Sequence, residues 1–354
     1  MKKLLSSILA LLMLTVLAAC GGSGEVIYVL NWGDYINPDL IEAFESETGI
    51  RIIYEEAGSN EEFDVRLRLE TTAYDIIIPS DYMMDKWAKT GLIQRLDFSL
   101  LPNYDKSTLI PEAVALYEDE DYYPYMVPYF FGTFGLMYNT RTPGIEEAIL
   151  AEGYGVLFNP NSPFRIGLYD SPRDTLGAAL IHLGFDVNTN VASEILAAEN
   201  LVRNVPNPTF GEDTLKQRII EGNLDVALVY SGDYFDELYA HEEEGLDVHF
   251  AFTTPDNSNV WIDGMVIPSN ARNVEGAHAF INFMIDFDNA LENAEYVGYT
   301  PVIQEVYELI VEDFELDENI FFPFPSGQRR QIFRFISEAH LEALNDAFNR
   351  AKSN

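Results

Sequence analysis

Cysteine is almost absent from this 354-residue chain; Cys20 is the only one, so no disulfide can form within it. Basic residues are scarce as well, 21 Lys and Arg against 58 Asp and Glu, for a formal net charge of −37. Such a chain repels polyanions and carries no basic, aromatic-interleaved patch to overcome the repulsion, which excludes nucleic acid as a partner. The five histidines, His182, His241, His249, His278 and His340, fall at no metal-binding spacing. Neither a glycine-rich phosphate loop nor a nucleophile elbow is present. The sequence therefore predicts no metal, no cofactor and no enzymatic role. Long apolar runs are missing too, since the stretch from Ile8 to Ala19 is shorter than the ~20 residues of a spanning helix.

That stretch follows Lys2 and Lys3 and precedes Leu17-Ala18-Ala19-Cys20 and the tract Gly21-Gly22-Ser23-Gly24. It reads as an export signal over residues 1–19, set aside from fold reasoning. Small residues before the cysteine resemble the bacterial lipobox, which implies lipidation of Cys20, a linker over 20–24 and a membrane anchor for an otherwise soluble domain. The remaining chain exceeds one average domain, and two lobes are expected.

What the sequence does contain is aromatic residues placed just ahead of aspartates: Trp32-Gly33-Asp34-Tyr35, Tyr230-Ser231-Gly232-Asp233-Tyr234 and Trp261-Ile262-Asp263. An alkylammonium taken out of water needs a paired, hydrogen-bonded carboxylate to offset its lost hydration. An aromatic face adds roughly 0.5–2 kcal/mol by cation–π attraction and grips the methylene chain. The surplus of acids would also speed the encounter with a multiply charged cation.

Local patterns place these residues. Val26–Leu30 reads as a buried strand, followed by a loop through Tyr35 and a helix capped by Asn37 with Pro38 at its first position, ending at Gly49. A strand at 50–54, a helix at 61–71 and a strand at 74–79 continue a strand-helix-strand order that predicts a parallel sheet with right-handed crossovers. A second such unit has strands at 165–169 and 225–229, a helix from Pro172 to Leu183, a turn at Ser231-Gly232-Asp233, a strand at 260–268 and a helix at 274–285. Periodicity predicts one long helix over 328–351. Ligands of open parallel sheets bind beyond the carboxyl ends of strands, where Asp34, Ser80, Tyr82, Asp174, Tyr230 and Asp233 would fall.

Asn31-Trp32-Gly33-Asp34-Tyr35-Ile36, Glu47-Thr48-Gly49-Ile50, Ser59-Asn60-Glu61, the run Tyr74 to Ser80, Trp261-Ile262-Asp263 and Gly298-Tyr299 together resemble the spermidine/putrescine-binding proteins of bacterial ABC importers. The likeness runs from about Val26 to about Tyr299 and is faint between 140 and 165 and after 300. It implies an α/β fold, the two-lobed periplasmic-binding-protein fold (type II), with two parallel or mixed sheets flanked by helices and a ligand cleft between the lobes. Lobe one would be residues 25–133 plus 262–300, and lobe two 134–261 plus 301–354. It further implies a monomeric receptor at the cell surface or in the periplasm that hands a polyamine, putrescine or spermidine, to permease subunits.

Carried over, Trp32 and Tyr35 are aromatic walls, Ser80 and Tyr82 polar contacts, and Asp174 the acid opposite an amine. Tyr230 replaces a usual tryptophan, Trp261 and Asp263 are the central wall and principal ammonium partner, and Tyr299 is a further lining residue. Asp34 and Asp233 resemble acids of putrescine-preferring members, whereas Ser171 stands where spermidine-preferring members tend to have an acid. A polar lining residue near the C-terminus would be Gln328 or Gln331. The competing classes are a receptor of the same fold for another organic cation or a metal, and a glycoside hydrolase using Asp174, Asp233 and Asp263. Anions are disfavoured by an acid-rich cleft with no evident arginine clamp. Tyr82 and Tyr299 alone do not make a ferric site.

Overall fold

In the computed structural model the described residues are 25–69, 71–324 and 329–353. The signal segment, Cys20 and Gln328 lie outside them. The first half begins with β1 (Val26–Asn31), the helix Pro38–Thr48, β2 (Arg51–Glu56), the helix Asn60–Leu69 and β3 (Ile76–Ile77). β2 and β3 flank β1 and run parallel to it, as the strand-helix-strand order predicts. Asn37 caps the first helix by accepting from the Asp39 amide at 3.0 Å, with Pro38 at its start. A helix at Asp81–Thr90, β4 (Ile93–Gln94) and β5 (Met126–Gly132) complete this pass.

Every residue of β5 is buried, and after Thr133 the chain enters β6 (Phe134–Asn139), which belongs to a different sheet. β7 (Ile166–Tyr169), β8 (Thr209–Gly211), β9 (Val226–Tyr230) and β10 (Phe250–Thr253) join β6 in the order β10-β6-β9-β7-β8. The chain then returns along β11 (Asn257–Pro268), which pairs antiparallel with β5 and β3, and ends its sheet with β12 (Thr300–Pro301). The first sheet is thus mixed, parallel at β1, β2 and β3 and antiparallel where β5, β11 and β12 meet.

The two passages between sheets lie side by side. Thr133 Oγ1 donates to the Asn259 carbonyl at 2.8 Å, and the Phe134 amide donates to Asn259 Oδ1 at 2.9 Å. Tyr154 and Ser258 share a hydroxyl contact of 2.6 Å beneath them, and Tyr154 OH donates to the Phe134 carbonyl at 2.8 Å. All of these groups are buried, so each polar atom that pairs here avoids a penalty of about 1–3 kcal/mol.

Three expectations change. The predicted helix over 328–351 is instead β13 (Arg329–Ile332), parallel to the start of β11, and a helix at Glu338–Lys352. Ser337 caps that helix by accepting from the His340 amide at 3.1 Å. Ser231, Gly232 and Asp233, read as a turn, form the first turn of the helix Ser231–Glu244. The helix Gln304–Asp313 packs on the helix Phe287–Val297 and on β12, so the first half continues past residue 300, while Glu338–Lys352 packs on the helices Ala192–Arg203 and Pro172–His182 of the second.

Candidate functional site

A cavity of about 100 Å³ lies between the halves, walled by loops beyond β1, β3, β7 and β9 and by the middle of β11. All eleven residues expected at the ligand, Trp32, Asp34, Tyr35, Ser80, Tyr82, Asp174, Tyr230, Asp233, Trp261, Asp263 and Tyr299, line this one cavity. Residues as far apart in sequence as Trp32 and Tyr299 meet there because each strand end delivers its own loop to the same crevice.

Asp263 lines the cavity from β11. Its carboxyl is buried, Oδ2 accepts from the Tyr35 hydroxyl at 2.9 Å, and Oδ1 has no hydrogen-bond partner. Burial pushes this carboxyl up to about 7, against the pull of the Ser80 and Tyr35 hydroxyls. Ser80 precedes the helix Asp81–Thr90 without spending its side chain as a cap. Its amide donates to Asn60 Oδ1, and its hydroxyl accepts from Asn60 Nδ2, both at 3.1 Å. Trp32 is held edge-on to Phe63 with its Nε1 donating to the Ile78 carbonyl at 2.7 Å, and Tyr82 OH donates to Glu61 at 3.0 Å. Asp34 stands exposed at the mouth in a left-handed conformation, φ +49°, which aspartate tolerates better than most residues.

The rings interlock across the halves. Trp261 meets Tyr230 at 5.8 Å and Tyr299 at 5.4 Å between centroids, both edge-to-face, and Tyr35 meets Tyr299 at 5.3 Å. Two glycines make room: a Cβ on Gly132 would lie 2.6 Å from the Trp261 ring, and one on Gly232 would lie 2.3 Å from Tyr299. Gly232→Ala is therefore expected to push Tyr299 out of the wall and destabilise the fold by about 1–3 kcal/mol. A melting temperature within 1 °C of the parent, by calorimetry, would show that the close approach is not tight.

The second half adds charge of both signs. Asp174, in the first turn of the helix Pro172–His182, is pushed up to about 6 by burial, against hydrogen bonds from Ser171 and Tyr230. Asp233 is pushed up to about 7 by burial, against the attraction of Lys216. Sequence patterns missed Glu61 and Asp81 as lining acids, and missed both buried cations, Arg173 and Lys216. Arg173 corrects the expectation of a cleft without arginine. Its guanidinium lies 4.7 Å from the Tyr82 ring and 5.5 Å from Phe333, and Nη2 donates to the Arg334 carbonyl at 2.8 Å. Arg173 directly precedes Asp174 in the first turn of the helix Pro172–His182, so the expected site residue beside it is the available clue. Gln331 is not a lining residue; it accepts from the Val187 amide and donates to Asn257, and Phe333 faces the cavity from that segment. Among the described residues no cluster of three or more His, Cys, Asp or Glu is placed to hold a metal ion, and no helix is long and apolar enough to cross a membrane.

The model of the bacterial extracellular solute-binding protein family matches residues 39–321. The chain is 31% identical to the putrescine-binding periplasmic protein SpuD of Pseudomonas aeruginosa over 307 residues, 81% of this chain and 83% of that one. It is 32% identical to the spermidine/putrescine-binding periplasmic protein of Salmonella typhimurium, over 86% of this chain and 85% of the relative. Among solved structures, the spermidine/putrescine ABC transporter substrate-binding protein PotD of Streptococcus pneumoniae superposes with a TM-score of 0.73 at 30% identity, covering 93% of this chain and 99% of that one.

Proposed function

The chain belongs to the bacterial extracellular solute-binding protein family, and from that membership we propose that its cleft binds a linear polyamine, putrescine or spermidine, for delivery to an ABC permease. The observation that carries the proposal is Asp263, a buried carboxyl with one oxygen unpartnered and the rings of Tyr35, Trp261 and Tyr299 around it. An ammonium supplies the missing donor and the opposite charge together. The rings then cover the methylene chain, and Asp174 offers a further carboxylate for the other end. The names of the relatives support the same ligand class.

In this function the protein is a receptor that leaves its ligand unchanged. Division of the chain near Thr133 and Ile262 makes two lobes that close on the amine, excluding water and strengthening each charge pair inside. A lipid on Cys20 tethers the monomer to a membrane surface.

Isothermal titration of the mature domain with putrescine, cadaverine, spermidine and spermine tests this. At least one of them is expected to release heat with one-site stoichiometry and to raise the melting temperature. Absence of heat and of thermal stabilisation with all four, near neutral pH and at moderate salt, overturns the assignment.

A further inference from the structure

Lys216 and its acidic neighbours put a cation of the protein's own inside the cleft. The side chain is 9% exposed, and Nζ lies 2.8 Å from Asp236 Oδ2 and 3.6 Å from Asp233 Oδ1. Asp233 Oδ2 is buried without a partner. Burial opposes the charge on Lys216, yet Asp233 and Asp236 hold it above the ordinary lysine range. The ammonium is therefore fixed in place. Lys216 comes from the helix Thr214–Ile220 and both acids from the helix Ser231–Glu244, so the whole cluster lies in the second half and persists however the halves move.

A triamine needs a carboxylate for each ammonium. Asp263 and Asp174 line the cleft with no lysine on them, whereas the Asp233 seat already holds one. Resting on the polyamine reading, we propose that Lys216 is a specificity-determining residue that takes the place of one ligand ammonium at Asp233 and Asp236, so that the cleft selects a diamine over longer, more highly charged polyamines. A third ligand ammonium brought to this end meets a like charge in a water-poor site, where repulsion is weakly screened. A diamine spanning the other carboxylates does not.

The test measures putrescine and spermidine affinities for the parent and for Lys216→Met, which keeps the stem and removes the charge. The spermidine-to-putrescine affinity ratio is expected to rise at least tenfold. Lys216→Arg should hold it within threefold. Lys216→Gln, which keeps a donor for Asp236, is run in parallel in case the methionine variant folds poorly, and should move the ratio in the same direction. Folded variants whose ratio stays within twofold of the parent overturn the assignment of Lys216 while leaving polyamine binding intact. A parent protein that binds neither amine overturns both.

Discussion

Asp263→Asn should cost the receptor most of its affinity and make the empty protein more stable. Removing one partner of a buried, hydrogen-bonded charge pair costs about 2–5 kcal/mol, a loss of roughly 30-fold to several thousandfold. Asparagine offers an ammonium no opposite charge, and its amide donors point where acceptors are needed. The stability effect has the other sign. Asp263 titrates at about 7 in the folded protein and near ~3.9 unfolded. Between these values the native state holds the extra proton, so its contribution to stability falls as pH rises through that window. By pH 8 the buried charge costs the ligand-free fold on the order of 2–4 kcal/mol. The variant should therefore melt a few degrees higher than the parent at pH 8 and at about the same temperature at pH 4. Affinity within twofold of the parent would remove Asp263 from the site; equal melting curves at pH 8 would show that burial does not penalise its charge.

Affinity for the polyamine should fall steeply in acid. Burial raises Asp263 to about 7 and Asp174 to about 6 in the empty cleft, whereas an ammonium ligand demands both ionised. Binding must then expel protons, and the apparent affinity declines below each of these values. From pH 8 to pH 5.5 the two groups together predict a drop on the order of a hundredfold. Titrations near pH 7 in buffers of different ionisation enthalpy should show heats that diverge by the protons released. A flat pH profile, or identical heats in phosphate and Tris, would mean that the carboxyls are already charged before the ligand arrives.

Much of this site was legible in the sequence because its residues stand beside local marks. Trp32, Asp34 and Tyr35 follow a strand and precede a capped helix, and Asp174 follows Pro172 in a first turn. Each of these signals needs only a dozen neighbouring residues to be seen. Lys216 has no such mark: it lies on a short helix, and its partners Asp233 and Asp236 are brought to it by packing of one helix on the next. The segment Arg329–Ile332 fails for a related reason, since its hydrogen-bond partner is the start of β11, more than 70 residues earlier. Gly232 was misleading in another way. Glycine disfavours a helix locally, and it is there because Tyr299 packs where a methyl would be.

The paired crossings at Thr133 and Asn259 bear on the order in which the ligand meets its partners. Two strands bonded side by side make a single pin, and closure about it would be a rotation in which points near the axis hardly travel. Trp261 and Asp263 lie two and four residues along β11 from Asn259, so closure about this pin would move their seat least. Arg173 and Asp174 stand on one half and Glu61 on the other, so the same closure would bring them together. The expected order is capture at Trp261 and Asp263 followed by locking, which separates the rates: substitutions at Asp174 should shorten residence time, whereas those at Asp263 should slow capture as well.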